Sequence, residues 1–242
     1  MKAYRAQTRM EVSLSLRQGE QLLVSIAIPW LLLVFFSLVD VLPKPDSDAH
    51  AVDFLAPGIL ALAVMSTAMV SLGIGTGFER HYGVLKRLGS TPLGRGRLIL
   101  AKITMVLCIE MLQVAVLVPT AIALGWRPDG ALVLAVPAYV LGTAAFAGIG
   151  LLLAGTLKGT VTLAAANGAY LVLLLLGGMI IPLSKLPEPI RLVAELLPAA
   201  ALSQAMNAAF SAHATAGLGP WIVLAAWAIG APIAAIKLFR WE

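Results

Sequence analysis

Glu110 is the residue with the strongest chemical potential in this sequence, because it is the sole acid between Leu98 and Leu124 in an otherwise apolar stretch. A carboxyl placed in hydrocarbon is costly and points to function by default. Contact with a substrate or proton, pairing with a base on a partner, and reaching back towards Arg97 or Lys102 are all open to it. A structural polar contact is the commoner fate of such a group. Gln113 lies one helical turn further on. Asn167, Thr67 and Ser71 are uncharged polar residues in apolar runs, a type that suits hydrogen bonds between membrane helices.

Other chemistries find no constellation. His50, His81 and His213 are scattered singly, so no metal site is expected. Cys108 is the single cysteine, which excludes an internal disulfide. No Gly-x-Ser-x-Gly occurs, and no serine–histidine pair falls in an apolar run, so an intramembrane serine protease is the weakest reading. Lys158-Gly159-Thr160 is the nearest approach to a phosphate-binding loop, but it lacks the preceding glycine turn. The chain is therefore not expected to hydrolyse ATP by that route, to bind a cofactor of its own, or to act as an enzyme.

The elements that position these residues follow from composition. Of 242 residues, 60% are apolar and 12% are charged, against about 25% charged in a soluble domain. Mean hydropathy is +0.94. A soluble enzyme and a disordered chain are both excluded. Uncharged runs mark the crossings: Gln21–Val39, Phe54–Phe78, Gly130–Leu157, Gly159–Ser184 and Leu196–Ile236. Each meets the ~18 apolar residues a spanning helix requires. The expected class is an all-α integral membrane domain over residues 1–242, with spans at 21–41, 54–77, 98–124, 131–156, 160–182 and 219–239. Strand-period alternation is absent, which argues against a barrel. The 41-residue run from Leu196 is too long for one crossing and is read as a short dipping segment before the last span. Pro29, Pro119 and Pro137 predict kinks. Glycines at 73, 75, 77, 142, 148 and 150 suit close helix packing.

Thirteen of the 17 basic residues fall on one side of this topology, leaving only Lys44, Arg127, Lys185 and Arg191 on the other. Positive charge marks the cytoplasmic face, so both termini are expected inside, in a plasma membrane. The net charge of +5 reads as topology and attraction to anionic lipid, with no nucleic-acid patch. No cleavable signal peptide is expected. Residues 1–20 should form a helix along the inner membrane surface, with Lys2, Arg5 and Arg9 on one face.

The loop from Glu79 to Lys102 holds six of those basic residues. Val84, Leu85 and Leu88 recur at helical spacing, while Lys86 and Arg87 face elsewhere. Gly89-Ser90-Thr91-Pro92 then breaks the helix, with Thr91 suited to cap a new helix and Pro92 to begin it. A rigid amphipathic element at the ends of two spans suits docking onto a soluble partner.

This segment resembles the loop between the second and third spans of ABC-2 permeases, the membrane subunits of type-2 ABC exporters. Glu79, Arg80, Gly83, Leu85, Arg87, Leu88, Thr91, Pro92, Arg95 and Lys102 fall in register with that pattern without a gap. His81 and Tyr82 depart from a usual charged pair, and Lys86 reverses an often acidic position. The resemblance implies that residues 79–91 are a coupling element touching an ATPase subunit, which would hold ATP and magnesium. It also implies a second six-span permease, identical or related, as partner. Asp53 to Gly58, leading into the second span, looks family-like too. Gly177-Gly178, Pro182, Leu186-Pro187 and Leu197-Pro198 resemble the family's outer segment, which implies two short re-entrant helices over 186–211 divided at Pro198.

The expected function is therefore the permease subunit of an ATP-driven exporter of an amphiphile (a drug, antibiotic, lipid or lipid-linked molecule), with Glu110, Gln113 and Asn167 as the candidates to line its translocation path. The alternative is a secondary transporter driven by an ion gradient. One membrane acid and no evident inverted repeat argue against that alternative.

Overall fold

The computed structural model describes residues 2–39, 51–91, 93–212 and 216–240. Pro92, Lys44, His50 and His213 lie outside the described residues. All regular structure among the described residues is helical. Six helices are long and apolar enough to cross a membrane: Gly19–Leu38, Val52–His81, Arg95–Ala123, Leu132–Thr156, Gly159–Leu176 and Leu218–Leu238.

Helix α1 (Lys2–Arg17) ends at Gln18, where the backbone leaves the helical region, and α2 (Gly19–Leu38) follows at once. Helix α2 is apolar all round yet buries only Pro29 and Leu33. Such an outward apolar surface fits a hydrocarbon surrounding. The second crossing is built from α3 (Ala51–Met65), a π-helical segment (Ser66–Ser71) and α4 (Leu72–His81). It forms the buried axis of the subunit, with Ile59, Leu62, Met65 and Met69 almost wholly covered. A π turn inserts an extra residue into the helical ladder and is frequent at functional sites. Nothing in Ser66-Thr67-Ala68-Met69-Val70-Ser71 announces it.

Short α5 (Val84–Gly89) precedes α6 (Arg95–Ala123). At 1.5 Å per residue α6 is about 43 Å long, more than the ~30 Å of hydrocarbon, so its basic first turn projects from one end. Helix α7 (Ala135–Thr156) is the hub, packing most extensively on α11 (Leu218–Leu238) and on the second crossing. Two glycines on opposite faces make this possible. A Cβ on Gly150 would stand 2.5 Å from the Met69 carbonyl oxygen, and one on Gly148 would stand 2.5 Å from the Pro232 nitrogen. Lipid offers no hydrophobic drive between helices, so such close approach supplies the association. Of the six packing glycines expected, Gly75 alone faces open space.

Two expectations need correction. Helix α8 (Gly159–Leu176) stops short of the expected 160–182, because Gly177 and left-handed Gly178 (φ 67°) end it. Pro137 sits in the first turn of α7, where a missing N–H costs nothing, so no kink arises there. Pro29 lies within α2 and Pro119 within α6.

After α8, Pro182 leads into a 3-10 turn (Leu183–Lys185) that ends at Leu186. Pro187 precedes α9 (Glu188–Ala194), and Pro198 opens α10 (Pro198–Phe210). Two short helices divided at Pro198 thus appear where the sequence places them. Helix α10 is buried against α3, α7 and α11. The loop after α6 is fastened to it: Ala212 N donates to Asp129 Oδ1 (2.9 Å), and Trp126 meets Phe210 edge to face (5.1 Å).

Candidate functional site

At the basic end of the molecule three helices meet on one ammonium. Lys102, in the second turn of α6, places Nζ 2.8 Å from Glu79 Oε2 and 3.2 Å from Glu11 Oε2. Gln7 Nε2 donates to the other Glu11 oxygen at 2.8 Å. Lys102 is 1% exposed, and a charge so buried persists only when paired. The cluster therefore joins α1, the end of the second crossing and the base of the third. Glu79, expected as a docking residue, turns inward instead, and Glu11 is a partner that lies outside the loop motif. The signal was present: Gln7 and Glu11 lie one turn apart, on the face of α1 opposite Arg5 and Arg9.

Arg80 also turns inward. Its Nη1 donates to the Ala154 carbonyl oxygen at 2.8 Å, satisfying one of the orphan acceptors at the end of α7. The Arg240 N–H bonds the adjacent Gly155 carbonyl at 3.1 Å, bringing the end of α11 to the same place. Left-handed Gly83 (φ 72°) then turns the chain into α5, a backbone state that residues with a Cβ avoid.

Helix α5 is pinned by a small apolar cluster. Leu85 is fully buried with Leu93, Leu98 and Phe239, and Leu88 packs on the same cluster one turn later. The opposite side presents Tyr82, Val84, Lys86 and Arg87, all exposed. Ser90 and Thr91 hydroxyls donate to the Arg87 and Leu88 carbonyls at 2.7 and 2.6 Å. Thr91 thus closes α5 and does not cap the next helix. The helix that follows begins at Arg95, directly after Gly94 (φ 71°).

The three residues expected to line a translocation path diverge. Gln113 is fully buried, and its Nε2 donates to the Ser25 carbonyl (2.8 Å) and to Thr67 Oγ1 (2.9 Å), tying α2 and the π segment to α6. Below it a crevice of about 110 Å³ is lined by Gln18, Gln21, Ser71, Thr76 and the Glu79–Lys102 pair. Glu110 faces α7 instead. The Thr143 hydroxyl donates to its Oε2 at 2.5 Å and also lies 2.9 Å from the Tyr139 carbonyl oxygen. Among the described residues no base pairs with Glu110, and Lys102 is engaged elsewhere. Asn167 is exposed on α8, and its amide donates to Leu163 O of its own helix (2.9 Å). No group of three metal-ligating side chains occurs among the described residues.

Six apolar crossings, a buried second span and an amphipathic helix pinned beneath them define a multi-pass, all-helical membrane protein. Residues 2–210 match the family model described as ABC-2 type transporter. The chain belongs to that family, as a permease component, and membership implies partnership with an ABC ATPase subunit. No curated protein shows significant similarity to it.

Proposed function

We propose that this chain is one translocating half of an ATP-driven exporter of amphiphiles. The observation that carries the reading is the seating of α5. Its apolar side rests on Leu93, Leu98 and Phe239, at the ends of the third and sixth crossings, and its Gly83 turn continues the second. A push on its outer face, where Tyr82, Val84 and Arg87 are exposed, reaches three crossings together. In this reading the basic end and both termini face the cytoplasm of a cell bounded by the plasma membrane. Helix α1 lies along the inner surface, α9 and α10 dip into the outer leaflet, and a partner ATPase holds ATP and magnesium. A second six-span chain completes the path, to which the polar crevice beneath Gln113 contributes one wall. The mainly apolar spans favour an amphiphile, such as a drug, antibiotic, lipid or lipid-linked molecule.

The test is reconstitution of the chain with a candidate ABC ATPase subunit. Wild type should form a complex whose ATP hydrolysis drives amphiphile export from vesicles. Arg87→Glu together with Tyr82→Ala should abolish both complex and export while leaving the thermal midpoint unchanged. Full export by that double variant would overturn the reading.

A further inference from the structure

Glu110 lies at the floor of a groove between α6 and α7, and nothing in the proposed ATP-driven cycle uses it. The groove encloses about 240 Å³, and its walls are apolar: Leu107, Met111, Val114, Val136, Val140 and Phe210. Met111, Val136 and Val140 are exposed at 75%, 66% and 46%, so the groove opens sideways where the surface is apolar and faces lipid. Its floor is polar. Glu110 is 1% exposed, with Oε1 in no hydrogen bond, and the Tyr139 hydroxyl beside it is also buried without one. Thr143 serves only Oε2. Two unsatisfied oxygens thus share the floor of an otherwise apolar groove. A buried acceptor left unmade is costly, and an unpaired membrane acid costs more.

We propose that this groove is a lateral binding site for lipophilic amines. The amine meets Glu110 Oε1 in a charge-assisted hydrogen bond, with the Tyr139 hydroxyl as second partner, and the alkyl chain lies along Met111, Val136 and Val140. The volume takes the head and the first part of the chain, and the remainder stays in lipid. Depth sets the ligand class. Glu110 stands about 22 Å along α6 from Arg95, near mid-span. A phospholipid ethanolamine head would bring a phosphate there, and no described base pairs at Glu110 to receive it.

The site is tested by equilibrium binding to the full chain in phosphatidylcholine nanodiscs without nucleotide, so the outcome does not bear on ATP-driven export. Tritiated dodecylamine should bind saturably above empty nanodiscs, about ten-fold tighter than dodecanol, which has the same chain and no charge. Glu110→Gln should erase that preference. Val140→Trp, which fills the groove, should remove both ligands while the chain stays monodisperse by size exclusion. Absence of saturable binding by wild type, or an undiminished amine preference in Glu110→Gln, would overturn the proposal. Displacement of dodecylamine by phosphatidylethanolamine in the disc would overturn it in favour of a lipid head. Should Glu110→Gln fail to fold, Val140→Trp alone decides: retained amine binding refutes the site, and lost binding upholds it.

Discussion

Lys102 Nζ sits 2.8 Å from Glu79 Oε2 with its side chain almost fully enclosed, and Glu11 approaches the same nitrogen from the other side. One ammonium therefore bridges two carboxylates from two helices. Removing it leaves both acids facing each other with no base between them. Lys102→Met should lower the thermal midpoint, measured at fixed scan rate, by the equivalent of about 3–5 kcal/mol. Adding Glu11→Gln to that variant should recover part of the loss. An unchanged midpoint in Lys102→Met would show that the cluster contributes nothing.

Arg80 and Arg87 are seven residues apart, yet they should behave as different kinds of residue. Arg80→Ala exposes the Ala154 carbonyl, a loss of about 1–2 kcal/mol for a half-buried charged donor, so the thermal midpoint should fall. Arg87→Ala should leave the midpoint alone and weaken capture of the ATPase on an affinity column. Equal effects on both readouts would refute this division.

Gly150 has no room for a methyl group beside Met69. Gly150→Ala should cost about 1–3 kcal/mol through overpacking, seen as a lower midpoint or reduced yield in membranes. Gly168→Ala on α8, where an added Cβ would meet no neighbouring element within 4 Å, is the control and should not lower the midpoint.

Gln113 joins α2 to the π segment through two donated bonds. Gln113→Leu fills a similar space but orphans the Ser25 carbonyl, at about 1–3 kcal/mol. Hydrogen exchange should then quicken in α2 and across residues 66–71, with the base of the molecule unaffected. Uniform quickening throughout the chain would contradict a local tie.

Five of the six crossings were legible because charge is so scarce that each uncharged run of span length contains one, while the third, which carries Lys102 and Glu110, showed by its apolar length alone. The two helices flanking Pro198 were legible too, since proline opens helices and its missing N–H is harmless there. Glu11 escaped because an acid on a basic helix looks like surface variation until its face is plotted against Gln7. The π segment and the early end of α8 left no local mark; a run such as Leu-Leu-Leu-Leu-Gly-Gly does not say where its last helical bond falls. Glu110 and Gln113 are one turn apart, but about 60° of rotation separates their directions. That angle sends one to α7 and the other to α2. Periodicity gives the angle, but only the packed neighbours give its meaning.

The seams at Gly148 and Gly150 have a further consequence. They are made by shape: a notch in α7 receives Pro232 on one side and the Met69 backbone on the other, with no titrating group in either joint. The hub is therefore joined by fit alone at these two seams, whereas the triad at its foot is joined by charge. The subunit is thus held in two unlike ways, by interlocking shape along α7 and by a three-helix ion cluster at its base, so a substitution that undoes one leaves the other in place.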